Sequence, residues 1–287
     1  MEDLVGTADN TTKQHVGRSA DYSIFDAALN KIDLNTAASM PCAKPIDLSI
    51  FISCFNEMST VIVTAQESLE VAESHGISLQ FIFIDDGSTD QSVDTIKKWM
   101  SDNKDRANML LIERHINAGL GANFKLAAIL AQGHCFRLMC GDHPEPQSAV
   151  DAIFSAFGRG HVVLPYHVTV QEKSKWRRGL SHSFSHLINL TTGLNVKYYN
   201  GQPIFTRLPL LMHLPQTSGF GFQAESVAKL LLGGERYVEV PVHTIQKGES
   251  TAVSCGNLVS VAHTIVILLL ARASHIYHRN KSNRKRD

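Results

Sequence analysis

The chain has 287 residues, of which 44% are hydrophobic and 19% are charged, so it can bury a substantial core in one large domain or two small ones. Its 27 lysines and arginines balance its 27 aspartates and glutamates, which argues against a general nucleic-acid binder. The five cysteines are scattered without a CxxC pair, a distribution typical of reduced thiols in a cytosolic protein. The first twenty residues lack the apolar segment of a signal peptide, which is also what we expect of a cytoplasmic protein.

Strands and helices are predicted to alternate through the first part of the chain. Residues 1–45 show weak periodicity and are predicted to form a loosely attached, partly disordered N-terminal arm. The apolar patterns predict strands over 48–53, 79–84, 108–112, 135–139 and 162–166, and helices over 61–74, 92–100, 123–131 and 149–157. This alternation predicts an α/β fold with a doubly wound, mostly parallel sheet flanked by helices.

The rest of the chain has a different character. Helices are predicted over 173–190 and 223–232, a loop and strand over 199–207, a strand over 237–242, and an apolar helix over 257–277. The uninterrupted apolar core of that last helix, Ile265 to Ala271, is shorter than the roughly 20 residues needed to span a bilayer. Six lysines and arginines follow between Arg272 and Asp287, a pattern typical of an interfacial membrane anchor. A core-packing helix with a soluble tail is the alternative.

The most informative motif is Phe81–Asp90, which reads FIFIDDGSTD. Its four apolar residues predict a strand buried on both faces, and the strand ends in two carboxylates, Asp85 and Asp86. Ligands of open α/β sheets bind beyond the carboxyl ends of the strands. Carboxylates placed there can accept hydrogen bonds from a base or ribose, or hold a divalent cation that neutralises a pyrophosphate. A helix N-cap by Ser88 or Asp90 would explain the end of the motif but not the two carboxylates.

A second acidic motif follows the fourth predicted strand. Asp142 lies there and suits an Mg²⁺ or Mn²⁺ ion that bridges two phosphates, with His143 and Glu145 as further candidate ligands. A turn without a metal is the alternative, because aspartate and proline residues commonly make one. The two carboxylates at the end of another strand, Asp85 and Asp86, favour the metal site over the turn.

Other patterns carry weaker signals. Gly119 and Gly121 either permit a tight strand-to-helix turn or let the backbone approach a donor. The run lacks the full G-x-G-x-x-G order, which disfavours a dehydrogenase. His182 and His186 are four residues apart and could form half of a zinc site, but two hydrogen-bonded histidines are the more common arrangement.

Taken together, these motifs resemble family 2 glycosyltransferases, which are inverting enzymes of the GT-A fold. The resemblance is carried by Phe51 to Glu57, Ile84 to Asp90, Gly119-Leu120-Gly121, and Asp142 with Pro146. It is greatest to the dolichol- and polyprenyl-phosphate mannosyltransferases. The resemblance implies a GT-A domain over residues 46–250, and composition predicts that an apolar helix and a basic tail follow over 251–287.

The resemblance also implies roles for individual residues. The nucleotide pocket would be formed by Phe55, Asn56, Glu57, Asp85, Asp86, Gly119 and Gly121, with Phe55 beside the base and Asp86 bonded to it. Asp142 would hold Mg²⁺ or Mn²⁺, and Glu225 would be the catalytic base facing the donor sugar or the acceptor. The acceptor and phosphates would be bound by Arg177, Arg178, Ser181, His182, Lys247 and Ser250.

Two of these roles have a non-functional alternative. A solvated basic face would equally explain the two arginines, and Glu225 would equally be an ordinary surface residue of a helix. Cys140 departs from the family, because it stands where the first aspartate of a D-x-D metal motif is expected. The lost charge predicts weaker divalent binding, or a larger share for Glu145 or His143.

The predicted function is therefore transfer of a sugar, with inversion, from a UDP- or GDP-linked donor. The acceptor would be a polyprenyl phosphate or a glycan in cell-surface polysaccharide synthesis, and the protein would be cytoplasmic with peripheral contact at the inner face of the membrane. The alternative is a catalytically weakened homologue that binds nucleotide sugar as a partner or regulator. A nucleotidyltransferase is disfavoured, because the glycine-rich N-terminal loop with a basic residue is absent.

Overall fold

A computed structural model describes residues 45–171, 175–245 and 255–283. The strands are β1 (Leu48–Cys54), β2 (Leu79–Asp85), β3 (Asn108–Glu113), β4 (Cys135–Cys140), β5 (Val162–Gln171), β6 (Ile204–Thr206) and β7 (Tyr237–Ile245). The helices are α1 (Val61–Ser74), α2 (Ser92–Asp102), α3 (Leu120–Leu130), α4 (Gln147–Phe154), α5 (Lys175–Thr192), α6 (Arg207–Met212), α7 (Phe222–Leu232) and α8 (Cys255–Asn283). The predicted N-terminal arm lies almost entirely outside the described residues, and the domain boundaries stay predictions.

The seven strands form one mixed sheet in the order β3-β2-β1-β4-β6-β5-β7. The first four strands of the chain are parallel to one another, and β5 is parallel to β7. The short strand β6 runs antiparallel between β4 and β5. The predicted α/β fold with a mostly parallel sheet is confirmed.

Strand β2 shows why its sequence is so apolar. All seven of its residues are buried, because β1 and β3 flank it and helices cover the sheet. Phe81 and Phe83 point to one face and contact the edge of Trp99 from α2, with ring centroids 5.4 and 5.8 Å away. Alternate residues of a strand face opposite sides, so Ile82 and Ile84 fill the other layer.

The strand register sets the position of the candidate site. Cys54 at the end of β1 pairs with Asp85 at the end of β2, and Ser53 pairs with Cys140 at the end of β4. The residues that follow these three strands therefore meet at one edge of the sheet. This is the edge at which ligands bind in open α/β sheets.

Candidate functional site

A cleft of about 310 Å³ lies at the carboxyl ends of β1, β2 and β4. Its walls are formed by Ser53, Cys54, Phe55, Glu57, Asp86, Asn117, Gly119, Leu120, Asn123, Cys140, Gly141 and Asp142. The cleft joins residues from segments that are far apart in the sequence. In particular, Asp86 and Asp142 line the same cleft.

The end of β1 supplies an aromatic ring and a tight connection. Phe55 lines the cleft with 49% of its surface exposed, so the ring is available to stack on a planar ligand. Asn56 is outside the cleft and adopts a left-handed conformation with φ 58°. Its Oδ1 accepts a hydrogen bond from the Thr89 N–H at 2.8 Å, and its own N–H donates to Ser88 Oγ at 2.9 Å. Asn56 therefore ties β1 to the loop after β2.

Asp85 also serves the loop. Its carboxylate accepts hydrogen bonds from the backbone N–H groups of Gly87 at 3.2 Å and Ser88 at 3.0 Å, and from the Ser88 hydroxyl. It is buried and does not line the cleft. Asp85 thus shapes the turn that ends β2, beside the cleft and not within it.

Asp86 lines the cleft, yet both of its oxygens bind backbone. Oδ1 accepts from the Ala118 N–H at 2.8 Å, and Oδ2 accepts from the Gly119 N–H at 2.9 Å. The carboxylate therefore fixes the segment that leads into α3. Gly119 has φ 83°, which favours glycine, and α3 begins directly after it, three residues before the predicted start.

Gly121 permits a close approach between two segments of the protein. A Cβ atom at this position would lie 2.3 Å from the carbonyl oxygen of Ser218. Gly121 does not line the cleft, so the structure assigns it to packing of the loop around Ser218 against α3. Its predicted contact with the donor has no support from this geometry.

Glu57 and Asp142 place two carboxylates in one part of the cleft. Burial raises the pKa of Glu57, and the negative charges of Asp142 and Asp90 add to the rise. Partial enclosure also raises the pKa of Asp142, although its side chain as a whole stays accessible to solvent. Thr60 Oγ1 donates to Glu57 at 3.0 Å, and the hydrogen bonds of the described residues include none from another residue to the Asp142 carboxylate.

This pair fits a hard divalent cation. Mg²⁺ is typically held by one or two carboxylates together with substrate phosphates and water, and a cation would relieve the repulsion between Glu57 and Asp142. No group of three or more His, Cys, Asp and Glu side chains within the described ranges forms a ready-made metal cage. A cation in this cleft would therefore depend on oxygen atoms supplied by the substrate.

The two further candidate ligands, His143 and Glu145, lie outside the cleft. Glu145 is buried and pairs with Arg137, its Oε2 lying 2.7 Å from Nη2 of the guanidinium. The Nε2 atom of His143 lies 2.8 Å from Oε2 of Glu67 in α1. Both side chains are therefore occupied by partners within the protein, and neither lines the cleft.

Cys140 lines the cleft as a neutral thiol. Burial raises its pKa strongly, and the nearby charges of Asp142 and Glu145 raise it further. The Nε2 of Gln202 donates to Cys140 Sγ at 3.4 Å, and the backbone N–H of Cys140 donates to Gln202 Oε1 at 3.3 Å. The position that holds a carboxylate in the D-x-D motif is thus uncharged here.

Glu225 is not a surface residue, and it does not line the cleft. It is fully buried in α7, and its oxygens accept from the Gln216 N–H at 2.7 Å, the Thr217 N–H at 3.0 Å and the Thr217 hydroxyl at 2.7 Å. Lys229, one turn later, forms an ion pair with the same carboxylate at 2.5 Å. These bonds use its acceptor capacity, so we reassign Glu225 as the anchor of the loop that packs on Gly121.

The predicted acceptor residues are only partly described. Arg177 and Arg178 lie in α5, but their side chains are outside the described part of the structure, as are Lys247 and Ser250 altogether. Ser181 and His182 lie further along α5 and do not line the cleft.

Sequence reasoning missed several cleft residues, of which Asn123 is the most informative. Its side chain is buried in the wall of the cleft, and its Oδ1 atom has no hydrogen-bond partner among the described residues. The available signal was a polar residue within the apolar first turns of α3, Leu-Gly-Ala-Asn-Phe. A buried amide oxygen left without a donor is costly unless a ligand supplies one.

Comparisons with solved structures agree with this fold. Glucosyl-3-phosphoglycerate synthase from Mycobacterium tuberculosis, in complex with Mn²⁺, UDP-glucose and phosphoglyceric acid, superimposes with a TM-score of 0.55 at 14% identity over 84% of this chain and 83% of that chain. S. aureus TarS 1–349 in complex with UDP-GlcNAc gives a TM-score of 0.54 at 15% identity over 80% of this chain and 69% of that chain. Both likenesses confirm the GT-A fold.

Comparison at the level of sequence places the chain in a family. A search of curated proteins finds no significant match. The sequence profile described as glycosyl transferase family 2, in contrast, matches residues 49–214, a segment that begins in β1 and includes all of the cleft residues. Because this match covers more than half of the 287 residues, the chain belongs to glycosyl transferase family 2.

Proposed function

We propose that this protein transfers a sugar, with inversion, from a nucleoside diphosphate sugar bound in the cleft. One observation carries the proposal: the same cleft joins the exposed ring of Phe55 to the carboxylates of Glu57 and Asp142. The ring suits the nucleobase, and the carboxylates suit a cation bound to the diphosphate. Membership of the glycosyl transferase family supports the same assignment.

The nucleobase would be recognised by Phe55 and Asn123. The buried Oδ1 of Asn123 is an unpaired acceptor, and a rotation of the side chain toward the cleft would bring it to the ring N–H that uracil and guanine each present. Asp86 supports this end of the cleft by holding the segment at Ala118 and Gly119. Since the mycobacterial and staphylococcal relatives were solved with UDP-glucose and UDP-GlcNAc, uridine is the first nucleoside to test.

The diphosphate would lie toward Asp142. Asp142, with Glu57 beside it, would hold Mg²⁺ or Mn²⁺, which when bound neutralises negative charge that develops on the leaving diphosphate. The mycobacterial relative was solved with Mn²⁺ in one complex and with Mg²⁺ in another. Cys140 adds no charge at this point, so the site carries less negative charge than a D-x-D pair would.

The hydrogen bonds of Glu225 bear on the chemical class of the acceptor. A hydroxyl acceptor requires a positioned general base, whereas a phosphate acceptor is already anionic and needs none. The carboxylate of Glu225 is occupied, which favours an acceptor that carries a phosphate, such as a polyprenyl phosphate. Arg177 and Arg178 in α5 are the candidate partners of that phosphate, since the guanidinium group binds phosphate through two parallel hydrogen bonds.

A donor panel tests the proposal. Purified protein with Mn²⁺ is incubated with UDP-glucose, UDP-GlcNAc and GDP-mannose, each with and without a polyprenyl phosphate, and release of nucleotide is measured. Asp142→Ala is expected to lower kcat/KM by about 100-fold or more, because removal of one charge-stabilising group costs this much in comparable sites. Asp105→Ala, an exposed aspartate outside the cleft, is the matched control and should stay within about twofold of the wild type. Equal rates for both variants would reject the site, and NMR of the product anomer decides between inversion and retention.

Cys140 favours one alternative, a homologue that binds nucleotide sugar without efficient turnover. Its neutral thiol replaces a metal-binding carboxylate, and Gln202 holds it from both sides. In that case nucleotide sugars would raise the Tm of the protein in a thermal-shift assay, but the donor panel would show no release of nucleotide. Cys140→Asp would then raise Mn²⁺-dependent turnover, whereas an unchanged Mn²⁺ affinity in this variant would count against the alternative.

A further inference from the structure

Helix α8 carries an apolar stripe that faces solvent. The stripe consists of Val259, Val266, Leu269, Leu270, Ile276 and Tyr277, whose exposed fractions run from 47% to 71%. These residues recur at intervals of three, four and seven, which places them on one side of the helix. Single exposed apolar residues are normal on a protein surface, but six on one side of a single helix mark an interaction surface.

The opposite side of α8 is fixed to the rest of the protein. Thr264, Ile267 and Leu268 are buried on that side. Cβ atoms added at Gly219 and Gly221 would lie 2.3 Å from Ser260 Oγ and 2.1 Å from Thr264 Oγ1, so the helix rests closely on the loop before α7. Nη1 of Arg272 donates to the carbonyl oxygens of Leu190 at 3.2 Å and Thr191 at 2.9 Å, at the end of α5. The helix therefore lies against the domain with the stripe turned outward.

The same helix has the length and composition of a membrane segment. Val259–Tyr277 is a stretch of 19 residues that is long and apolar enough to cross a bilayer. The uninterrupted apolar core from Ile265 to Ala271 had predicted a segment too short to do so. Length and composition alone are weak support, because core helices of soluble proteins pass the same test. The packing of Thr264 and Leu268 against the domain fits a helix that lies along a surface better than one that spans a membrane.

Charge identifies the surface that the stripe fits. Residues 251–286 contain no aspartate or glutamate and six lysines and arginines, five of them after Tyr277: Arg279, Lys281, Arg284, Lys285 and Arg286. Basic residues next to an apolar helix are attracted to the anionic headgroups of a bilayer. We propose that α8 lies in the interfacial region of an anionic lipid bilayer, with the apolar stripe inserted.

The position of α8 gives this contact a consequence for the cleft. The loop under α8 continues to Ser218, which packs on Gly121, and Gly121 follows the cleft residues Gly119 and Leu120. One continuous scaffold therefore connects the bilayer-facing helix to the wall of the cleft, which would bring a lipid-linked acceptor close to the donor. This consequence rests on the proposed transferase function, whereas the membrane contact itself does not.

Vesicle binding by the full-length chain tests the proposal. Co-sedimentation is measured with vesicles of phosphatidylcholine alone and of phosphatidylcholine with 30% phosphatidylserine. We expect binding to the mixed vesicles, a fall in binding as NaCl rises from 0.1 to 0.5 M, and a loss of about tenfold or more in the Leu269→Gln/Leu270→Gln variant. The matched control is Leu208→Gln/Met212→Gln on α6, where both side chains are 62% exposed and binding should be unchanged.

Several outcomes would overturn the proposal. They are failure of the wild type to bind either vesicle, equal loss in both double variants, or a dimer in light scattering that the Leu269→Gln/Leu270→Gln variant abolishes. The last result would show that a second copy covers the stripe. Thermal unfolding of each variant checks that the fold is intact. Asp142→Ala should bind vesicles as the wild type does, so a failure of the transferase proposal and a failure of the membrane proposal remain distinguishable.

Discussion

Replacement of Glu145 by glutamine tests the buried ion pair that braces the segment carrying Asp142. The side chains of Arg137 and Glu145 are 0% and 4% exposed and are joined at 2.7 Å. Arg137 also donates through Nε to the Gln202 carbonyl at 3.1 Å, and its guanidinium lies 5.8 Å from the centre of the Phe154 ring. Glutamine preserves the shape of Glu145 but leaves the guanidinium charge buried without a counter-charge.

The expected cost is large because the charge cannot reach water. Burial lowers the pKa of Arg137, yet arginine stays protonated in proteins, so the variant must keep a buried cation. Removal of one partner from a buried pair costs about 3–5 kcal/mol. For a domain of this size, that corresponds to a fall in Tm of roughly 6–20 °C.

An exposed ion pair serves as the control. Lys97 and Glu113 are also joined at 2.8 Å, but their side chains are 54% and 45% exposed. Glu113→Gln should therefore cost no more than about 1 kcal/mol. Urea unfolding and calorimetry of both variants give the comparison. If Glu145→Gln loses no more stability than Glu113→Gln, the assignment of a desolvated, ionised pair is wrong.

Three further predictions concern the cleft and its supports. Gly121→Ala should lower the free energy of unfolding by about 1–3 kcal/mol, because its Cβ atom would clash with the backbone of Ser218 and this outweighs the better helix propensity of alanine. The control is Gly179→Ala, whose Cβ atom would meet nothing within 4 Å; urea unfolding should show a gain of up to about 1 kcal/mol in its free energy of unfolding. Glu225→Gln should lower Tm because it removes the counter-charge of the mostly buried Lys229. A loss of kcat of about 100-fold at unchanged Tm would instead support Glu225 as a base. Asp142→Asn should be at least as stable as the wild type at pH 7, because a raised pKa means that ionisation of Asp142 opposes folding, and this advantage should vanish below a pH of about 3.9.

The fold could be predicted because its signals are local. The apolar run from Phe81 to Ile84 predicts a strand buried on both faces, and β2 is such a strand. The start of α3 was missed because Gly119 is fixed in its left-handed conformation by the distant carboxylate of Asp86. A strand was predicted within 199–207, but its bounds as β6 depend on pairing with β4 and β5. Neither of these long-range contacts leaves a local pattern in the sequence.

The candidate site was predictable to a lesser extent, because the sequence does not show which carboxylate oxygens accept hydrogen bonds from the protein itself. Glu225 looked like an available carboxylate, but the backbone of Gln216 and Thr217 occupies it. Glu145 looked like a spare ligand, but it compensates Arg137. Asp142 follows a strand end, which is where open α/β sheets bind ligands, and it lines the cleft.

Four of the carboxylates near this edge of the sheet differ in the groups that donate hydrogen bonds to them. Asp85 and Asp86 accept backbone N–H groups, so they build the turns that form the walls. Within the described residues, the carboxylates of Glu57 and Asp142 accept no backbone N–H group of another residue and they repel each other, so they gain most from a cation. It follows that amide substitutions should act differently at the two positions. Asp86→Asn would turn an amide donor toward Ala118 or Gly119 and distort the nucleotide end, whereas Asp142→Asn would leave the walls intact and remove only charge.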